Sequence, residues 1–342
     1  MKAFSFKQIV KGVVFFTIII VGFLVLHKCL DNKTHDQKNI YEAYYGKIKE
    51  YNTIITGSST TYNSLSPVIL DKQTNINSYN LATPVQSFED TYYLLQDIYE
   101  KNVPETVILG INVNLITAEV DKESSRILLS AMDNSISKIK YFITTFNISD
   151  LLYFFNKNPK SFNINNIING KYIDKLFSSK KEDEKSNVNI EDKGYLLNSS
   201  TYKYDNTQKL TYGFSYSEKN EEFLRKSIEL CKEKGSNVIL YSSAVSEIQV
   251  DFTKEFQKYY EYISDISNEY GIVVLDFNLL KKEIFSNTNE YFADDIHIRF
   301  TGAEIVSNSF GDILNDINNN TYDASEYFYS DYQIAHNEKF GR

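Results

Sequence analysis

Cysteine is nearly absent from this chain, with only two in its 342 residues. That count excludes a disulfide framework and a cysteine-based zinc site. Clusters of positive charge are also missing, because lysine and arginine are interspersed with acids and the formal net charge is -9. Nucleic acid is therefore not an expected partner, since binding its phosphates needs a basic stripe. With 42% hydrophobic and 24% charged residues, the chain has the composition of one large folded domain or two small ones.

One apolar run stands out near the N-terminus, from Gly12 to Leu26, and it contains no charged residue. Its fifteen residues fall short of the roughly 20 that span a bilayer, but Lys11 and Lys28 can extend their ammonium groups to the two interfaces. No small-x-small cleavage pattern follows the run. The sequence predicts a cytoplasmic stub, an uncleaved single-pass anchor and a linker over residues 1–37, with the rest of the chain extracytoplasmic at the cell membrane.

Behind this anchor, short apolar runs alternate with amphipathic segments, which is typical of an α/β domain with a mostly parallel sheet. Strands are predicted at 52–57, 75–82, 105–116, 237–243 and 272–277, and helices at 86–102, 218–235, 252–271 and from about Thr301 to Ile317. The domain is expected to span 38–318 with a helical insertion at 117–220. Residues 319–342 lack periodicity and are predicted to be a mobile tail.

Of the four histidines, His297 alone falls inside the predicted domain and not at its flanks. Asp294, three residues earlier, can accept the imidazole N–H, which fixes the tautomer and leaves the other ring nitrogen free as a base. A metal pair or a solvated loop is the alternative interpretation of this segment. A metal site is less favoured because no second histidine or nearby pair of glutamates completes three ligands.

A nucleophile for this base follows the first predicted strand, in Gly57-Ser58-Ser59. Ligands of parallel α/β sheets gather beyond the carboxyl ends of the strands, so Ser59 is suitably placed, and Gly57 permits a sharp turn there. Asn112 follows the third strand at the same edge, where its amide could donate to an oxyanion. Each feature taken alone also fits a helix cap or an ordinary strand-to-helix loop.

In combination, Gly-x-Ser, Gly-x-Asn and Asp-x-x-His in this order resemble the SGNH (GDSL-like) hydrolase family. The resemblance covers about residues 50–116 and 218–317. It implies a three-layer α/β/α domain with a mostly parallel sheet and a catalytic triad of Ser59, His297 and Asp294. It also implies that the Ala82 N–H and the Asn112 amide bind the oxyanion, and neither a cofactor nor a metal is expected.

The segment from Asn80 to Ser87, Asn-Leu-Ala-x-Pro-x-Gln-Ser, together with the predicted anchor, resembles a bacterial cell-envelope branch of that family. The branch is similar to proteins of D-alanyl transfer to lipoteichoic acid and of alginate acetylation, which act beside membrane-bound O-acyltransferases. This implies an envelope polysaccharide or a teichoic-acid-like polymer as acyl acceptor, with Asn80 and Gln86 as candidate contacts. Arg299 stands where related sequences carry Asn, and it could bind an anionic polymer or form a surface salt bridge. The alternative is a non-catalytic protein that binds glycan or docks on a membrane-bound O-acyltransferase, because Ala82 and Thr60 depart from the family pattern.

Overall fold

The computed structural model describes residues 6–29, 36–117, 121–155, 190–200, 216–247 and 253–341. Half of the insertion predicted at 117–220 therefore lies outside the described residues. The strands are β1 Thr53–Thr56, β2 Ser78–Asn80, β3 Thr106–Ile111, β4 Asn237–Ser242 and β5 Val273–Asp276. The helices are α1 Phe6–Cys29, α2 Asp36–Gly46, α3 Ser59–Ser64, α4 Pro67–Gln73, α5 Phe88–Tyr99, α6 Val113–Thr117, α7 Lys122–Ala131, α8 Ile136–Thr145, α9 Leu151–Phe154, α10 Glu218–Glu233, α11 Thr253–Tyr270, α12 Phe300–Asn319, α13 Ala324–Tyr327 and α14 Tyr332–Phe340.

The five strands form one parallel sheet in the order β2-β1-β3-β4-β5. Each predicted strand overlaps an observed one, so the α/β class with a parallel sheet is confirmed. Because β2 and β3 lie on opposite sides of β1, the chain changes direction across the sheet between β1 and β3. Such a switch point opens a crevice at the carboxyl ends of the strands, where α/β proteins bind ligands.

Alternate strand residues supply two separate hydrophobic cores, one on each face of the sheet. Ile54 and Val107 point to the core shared with α5, α7, α8, α10 and α11. Ile55 and Ile108 point to the core shared with α4 and α12. Because β3 is buried on both faces, its Val107-Ile108-Leu109 run is continuously apolar, which is the signal that the sequence pattern detects.

Helix α5 begins where its first turn is capped. Ser87 Oγ accepts the Asp90 N–H at 3.1 Å, and the Asp90 carboxylate accepts the Ser87 N–H at 2.9 Å. This reciprocal pair satisfies two backbone donors that the helix leaves free. The predicted helix at 86–102 accordingly starts at Phe88.

The C-terminal residues differ from the predicted mobile tail, because they form α13 and α14. Tyr332 is fully buried, and its hydroxyl donates to Asp276 at the end of β5 at 2.6 Å. Lys339 Nζ donates to Asn287 Oδ1 at 2.6 Å. These contacts join residues far apart in sequence, so the absence of local periodicity does not reveal them.

Helix α1 contains the apolar run from Gly12 to Leu26. Val13, Phe16 and Ile18 on this helix are each more than half exposed. Nowhere in the described residues does a helix reach the length and apolarity that a membrane crossing requires.

Two glycines allow the carboxyl ends of β1 and β3 to approach each other. Gly57 has φ +139, and a Cβ there would lie 2.5 Å from Thr61 Oγ1 and 2.9 Å from the Cα of Gly110. A Cβ on Gly110 would lie 2.7 Å from the Thr56 carbonyl oxygen and would also overlap Thr61 Oγ1. The Thr61 side chain therefore occupies the space that two missing side chains leave, and it holds α3 against both strands.

We expect Gly110→Ala to lower the free energy of unfolding by about 1–3 kcal/mol, because the added methyl group overpacks this contact. Denaturant unfolding of the wild type and of Gly110→Ala measures the difference in the free energy of unfolding. Gly46→Ala is the matched control, since a Cβ there meets nothing within 4 Å. Equal stability of the two variants would contradict the close approach.

Candidate active site

Ser59 is the first residue of α3, directly beyond the end of β1. Ser58 before it has extended backbone angles and serves as the N-cap residue of that helix. The first N–H groups of a helix have no partner within the helix, so the backbone N–H of Ser59 is directed outward together with its side chain. The β1–α3 turn thus presents both a hydroxyl and a backbone donor at the switch point of the sheet.

His297 lies in a loop whose two sides are joined by backbone hydrogen bonds. The Ala293 N–H donates to the His297 carbonyl at 2.8 Å, and the Arg299 N–H donates to the Tyr291 carbonyl at 2.8 Å. Asp294 Oδ1 accepts the N–H groups of Ile296 at 3.0 Å and of His297 at 2.9 Å. An aspartate that accepts from the residues two and three positions ahead stabilises a tight turn. This turn directs the imidazole toward β1.

The structure brings the hydroxyl, the imidazole and the carboxylate together. His297 Nε2 lies 2.7 Å from Ser59 Oγ, across 238 residues of sequence. His297 Nδ1 lies 2.8 Å from Asp294 Oδ2 and 3.0 Å from Oδ1. An ionised carboxylate only accepts, so the Nδ1–H donates to it and Nε2 is left to accept the hydroxyl proton of Ser59.

The charge on Asp294 is favoured by its neighbours. Burial by itself would raise the pKa of Asp294, but the hydrogen bonds from the His297 ring and from the backbone N–H groups, with the charge of His297, lower it below the ordinary 3.8. The carboxylate is therefore ionised at neutral pH. The His297 side chain is 24% exposed, so a substrate can reach the imidazole.

The alternative interpretation of this segment is a metal pair. In the structure, Asp294 and His297 contact each other and the turn. Asp294 Oδ1 serves the turn and both of its oxygens face the imidazole. Among the residues that the structure describes, no three His, Cys, Asp or Glu side chains are grouped to hold a metal ion.

Asn112 lies beside the serine turn and also caps a helix. Its Nδ2 donates to Ser58 Oγ at 3.1 Å and to Thr60 Oγ1 at 3.3 Å, the two residues that flank Ser59. Its Oδ1 accepts the Leu115 N–H at 2.9 Å in the first turn of α6. The amide is thereby fixed in orientation next to the nucleophile position. The capping role of Asn112 is observed, and its oxyanion role stays a prediction.

The loop after β2 runs alongside the end of β1. Its Leu81 N–H donates to the Ile55 carbonyl at 2.7 Å and its Thr83 N–H to the Gly57 carbonyl at 3.1 Å. Ala82, between them, donates its N–H to Asn80 Oδ1 at 3.1 Å. The oxyanion donor that the resemblance implies at Ala82 is thus close to the serine turn, and it has a side-chain partner here.

Asn80 and Gln86 are buried, which differs from the substrate contacts predicted for them. Asn80 is fully buried, and its Nδ2 donates to the Leu65 carbonyl at 3.1 Å, which joins the loop to the end of α3. Gln86 is 1% exposed, and its Oε1 accepts the Thr83 N–H at 2.9 Å. That bond closes a turn in which Val85 has φ +49, a conformation unfavourable for a β-branched residue. Both amides shape the loop.

Arg299 lies two residues after His297, and its guanidinium has spare donors. Its Nη1 reaches the Glu290 carbonyl at 3.4 Å, whereas its Nε is buried without a hydrogen-bond partner. None of the ion pairs formed among the described residues involves it. A cation without an ion-pair partner among the described residues therefore stands two residues after His297.

Tyr62 is a neighbour of the nucleophile that the sequence-based reasoning did not identify. It lies three residues after Ser59 on the same face of α3. Burial raises the pKa of Tyr62, and the interaction of its hydroxyl with the nearby Ser59 side chain partly offsets the rise. The i, i+3 spacing on a helix is a signal that could have found it.

Comparison with protein-family models finds none that matches this chain. No curated protein matches it either. Among solved structures the chain is similar to a protein from Desulfitobacterium hafniense DCB-2 assigned to the lipolytic G-D-S-L family, at 11% identity and a TM-score of 0.38, over 76% of this chain and 98% of that one. A likeness this distant supports no conclusion about activity.

The Asp294–His297 contact predicts a titration shift. We expect an NMR titration to give Asp294 a pKa below 3.8 in the wild type, and a higher one in His297→Ala, which lacks the ring donor. Because the folded state lowers this pKa, the contact stabilises the fold above the unfolded value of 3.8 and loses that effect as the pH falls through the folded value. Identical Asp294 titrations in the two proteins would rule out the contact.

Proposed function

We propose that this protein is a serine acyl esterase or O-acyltransferase that acts on a cell-envelope glycopolymer. One observation carries the proposal: Ser59 Oγ, His297 and the Asp294 carboxylate form a continuous chain of hydrogen bonds of 2.7 and 2.8 Å. Nucleophile, base and orienting acid in this arrangement are the requirements for activating a serine hydroxyl. The SGNH-like order of the motifs supports the same reaction class.

In the first half-reaction, Ser59 Oγ attacks the carbonyl carbon of the acyl donor while His297 Nε2 takes the hydroxyl proton. Asp294 holds the ring and stabilises the imidazolium that forms. When the tetrahedral intermediate collapses, the ester bond of the donor breaks and His297 returns the proton to the leaving oxygen. The acyl group remains on Ser59 as an ester.

The negative charge of the intermediate needs donors in the crevice between β1 and β3. We assign this role to the N–H groups of Ser59 and Ala82 and to the Asn112 amide, which already lies beside Ser59. Ala82 would have to share its N–H with the oxyanion, because Asn80 Oδ1 accepts it in this structure. Each such donor typically lowers the barrier by about 3 kcal/mol.

In the second half-reaction, a hydroxyl group attacks the acyl-serine and His297 removes its proton. The ester bond to Ser59 Oγ then breaks, and His297 returns the proton to that oxygen, which restores the free serine. Water as the attacking molecule gives an esterase, and a sugar or polyol hydroxyl of the polymer gives a transferase. The half-exposed Asp294 and partly exposed His297 leave this site open to a large acceptor. An open rim of this kind suits a polymer chain.

Arg299 supports an anionic acceptor. Among the described residues Arg299 forms no ion pair, and the hydrogen bond from its Nη1 to the Glu290 carbonyl is long at 3.4 Å, so guanidinium donors other than the buried Nε remain for a ligand. Guanidinium groups bind phosphate and carboxylate in a bidentate manner. A teichoic-acid-like phosphate polymer or an acidic envelope polysaccharide carries such groups.

The proposed setting is the outer face of the cell membrane, with the chain held by the apolar run from Gly12 to Leu26. The apolar side chains of Val13, Phe16 and Ile18 are exposed. Their exposure supports the proposal that this helix lies in an apolar environment. In that setting a membrane-bound O-acyltransferase is the proposed partner, as the supplier of acyl groups to the serine.

A non-catalytic protein on the same scaffold is the second candidate. The observation that favours it is the Ala82 N–H, which is occupied by Asn80 at 3.1 Å. A site that lacks one oxyanion donor would bind glycan at the same rim and perform no acyl transfer.

We expect Ser59→Ala to reduce kcat/KM for 4-nitrophenyl acetate by at least about 10⁴-fold, because the acyl-serine intermediate can no longer form. His297→Ala should lose a similar factor. Ser149→Ala is the matched control, as Ser149 is exposed and lies outside the site.

Fluorophosphonate labelling provides an independent readout of the same hydroxyl. Wild type and Ser149→Ala should be labelled, and Ser59→Ala should not. A wild type that remains unlabelled under conditions that label a known serine hydrolase, yet binds glycan equally well in all variants, would favour the non-catalytic protein.

The role of Arg299 is tested by acceptor selectivity. We compare deacetylation of O-acetylated polyglycerol phosphate with that of neutral O-acetylated xylan. Arg299→Gln should reduce the preference for the phosphate polymer by about tenfold, through loss of charge-assisted hydrogen bonds, and Arg299→Lys should retain part of it. An equal loss of activity on both polymers would show that Arg299 does not distinguish a charged polymer from a neutral one.

A further inference from the structure

The end of the insertion crosses the candidate site. We call residues 193–198 the strap. At its start, the Lys193 carbonyl accepts the Asn80 N–H at 2.9 Å, and Lys193 Nζ donates to Asn77 Oδ1 at 2.7 Å and pairs with Asp71. Gly194 then passes so close to β2 that a Cβ would lie 2.9 Å from the carbonyl carbon of Asn80. This end of the strap is fixed to the edge of the sheet.

The strap next contacts the helix that bears the nucleophile. The Leu196 N–H donates to the Tyr62 carbonyl at 3.1 Å. Asn63 Nδ2 donates to the Leu196 carbonyl at 2.6 Å, and Asn63 is 6% exposed. Tyr62 and Asn63 belong to the short helix α3, which begins at Ser59, so the strap is attached about one helical turn from the nucleophile.

The strap then reaches the element that follows the base. The Asn198 carbonyl accepts the Phe300 N–H at 3.0 Å, three residues after His297. The N–H and the carbonyl of Leu196 and the carbonyl of Asn198 are therefore engaged in hydrogen bonds within the protein. Between these bonds the strap presents the side chain of Leu197 to solvent.

Leu197 is the residue between these two attachments, and it is 59% exposed. Phe300, bonded to the next residue of the strap, is 42% exposed. Two large apolar side chains thus stay in solvent between the serine helix and the histidine loop. Polar groups in such a position would form hydrogen bonds with a glycan or with water. Apolar groups contribute binding free energy only when they contact hydrocarbon.

We propose that Leu197 and Phe300 form an apolar wall that contacts the acyl group held on Ser59, so that the preferred acyl donor carries a chain longer than acetyl. The inference rests on the proposed function and adds the class of acyl group to it. The insertion thereby contributes the residue that selects the substrate, although the triad itself comes from the α/β core.

The test is the chain-length preference of the full-length protein toward 4-nitrophenyl acetate, butyrate and octanoate. The wild type should prefer butyrate or octanoate to acetate. Leu197→Asn should lower the ratio of kcat/KM for butyrate to that for acetate by about tenfold, since each methylene group against an apolar wall contributes a factor of this order. Folding is not at risk, because Leu197 is 59% exposed.

Ile148→Asn is the matched control, because Ile148 is 80% exposed and lies in the turn before α9, which packs with the helices on the other face of the sheet. Its chain-length preference should equal that of the wild type. A wild type that prefers acetate, or a Leu197→Asn variant that changes all three esters by one factor, overturns the apolar wall and leaves the esterase standing. A wild type that cleaves none of the three esters overturns both.

Discussion

The contact between the carboxyl ends of β1 and β3 is the constraint on which this site depends. Gly57 and Gly110 leave room for only one side chain between the strands, and Thr61 of α3 fills it. The serine helix is thereby seated on the switch point of the sheet, with Asn112 immediately alongside. Any side chain at either glycine would separate the two motifs, so the Gly-x-Ser and Gly-x-Asn patterns are two halves of one packing contact.

Asp294 combines folding and chemistry in a similar way. It accepts two backbone N–H groups, which form the turn, and it accepts the imidazole N–H, which fixes the tautomer. The spacing Asp-x-x-His follows from this double use, because only a side chain that begins the turn can also reach the ring at its end. The imidazole therefore reaches Ser59 in a fixed orientation, which is the preorganisation that the proposed reaction requires.

The features predicted from sequence were those with a local signature. Strands buried on both faces read as continuous apolar runs, and the serine turn and the histidine loop follow from short motifs. Asn80 and Gln86 share the polarity of substrate-binding residues, but their amides satisfy buried backbone groups. Sequence cannot separate these roles, because an amide that holds a loop and one that holds a ligand are the same residue type. The C-terminal helices escaped detection because their stability comes from contacts such as Tyr332 with Asp276.

The order and spacing of residues determined the α/β class, the parallel sheet and the identity of the side chains that can activate a hydroxyl. Only the tertiary structure decided that Ser59 and His297, 238 residues apart, lie 2.7 Å from each other, and that the strap joins the two elements that carry them. The physical reason is the range of the forces involved. Periodicity and turn propensity act over a few neighbouring residues, whereas the distance between two loops is set by the packing of the whole sheet and its helices.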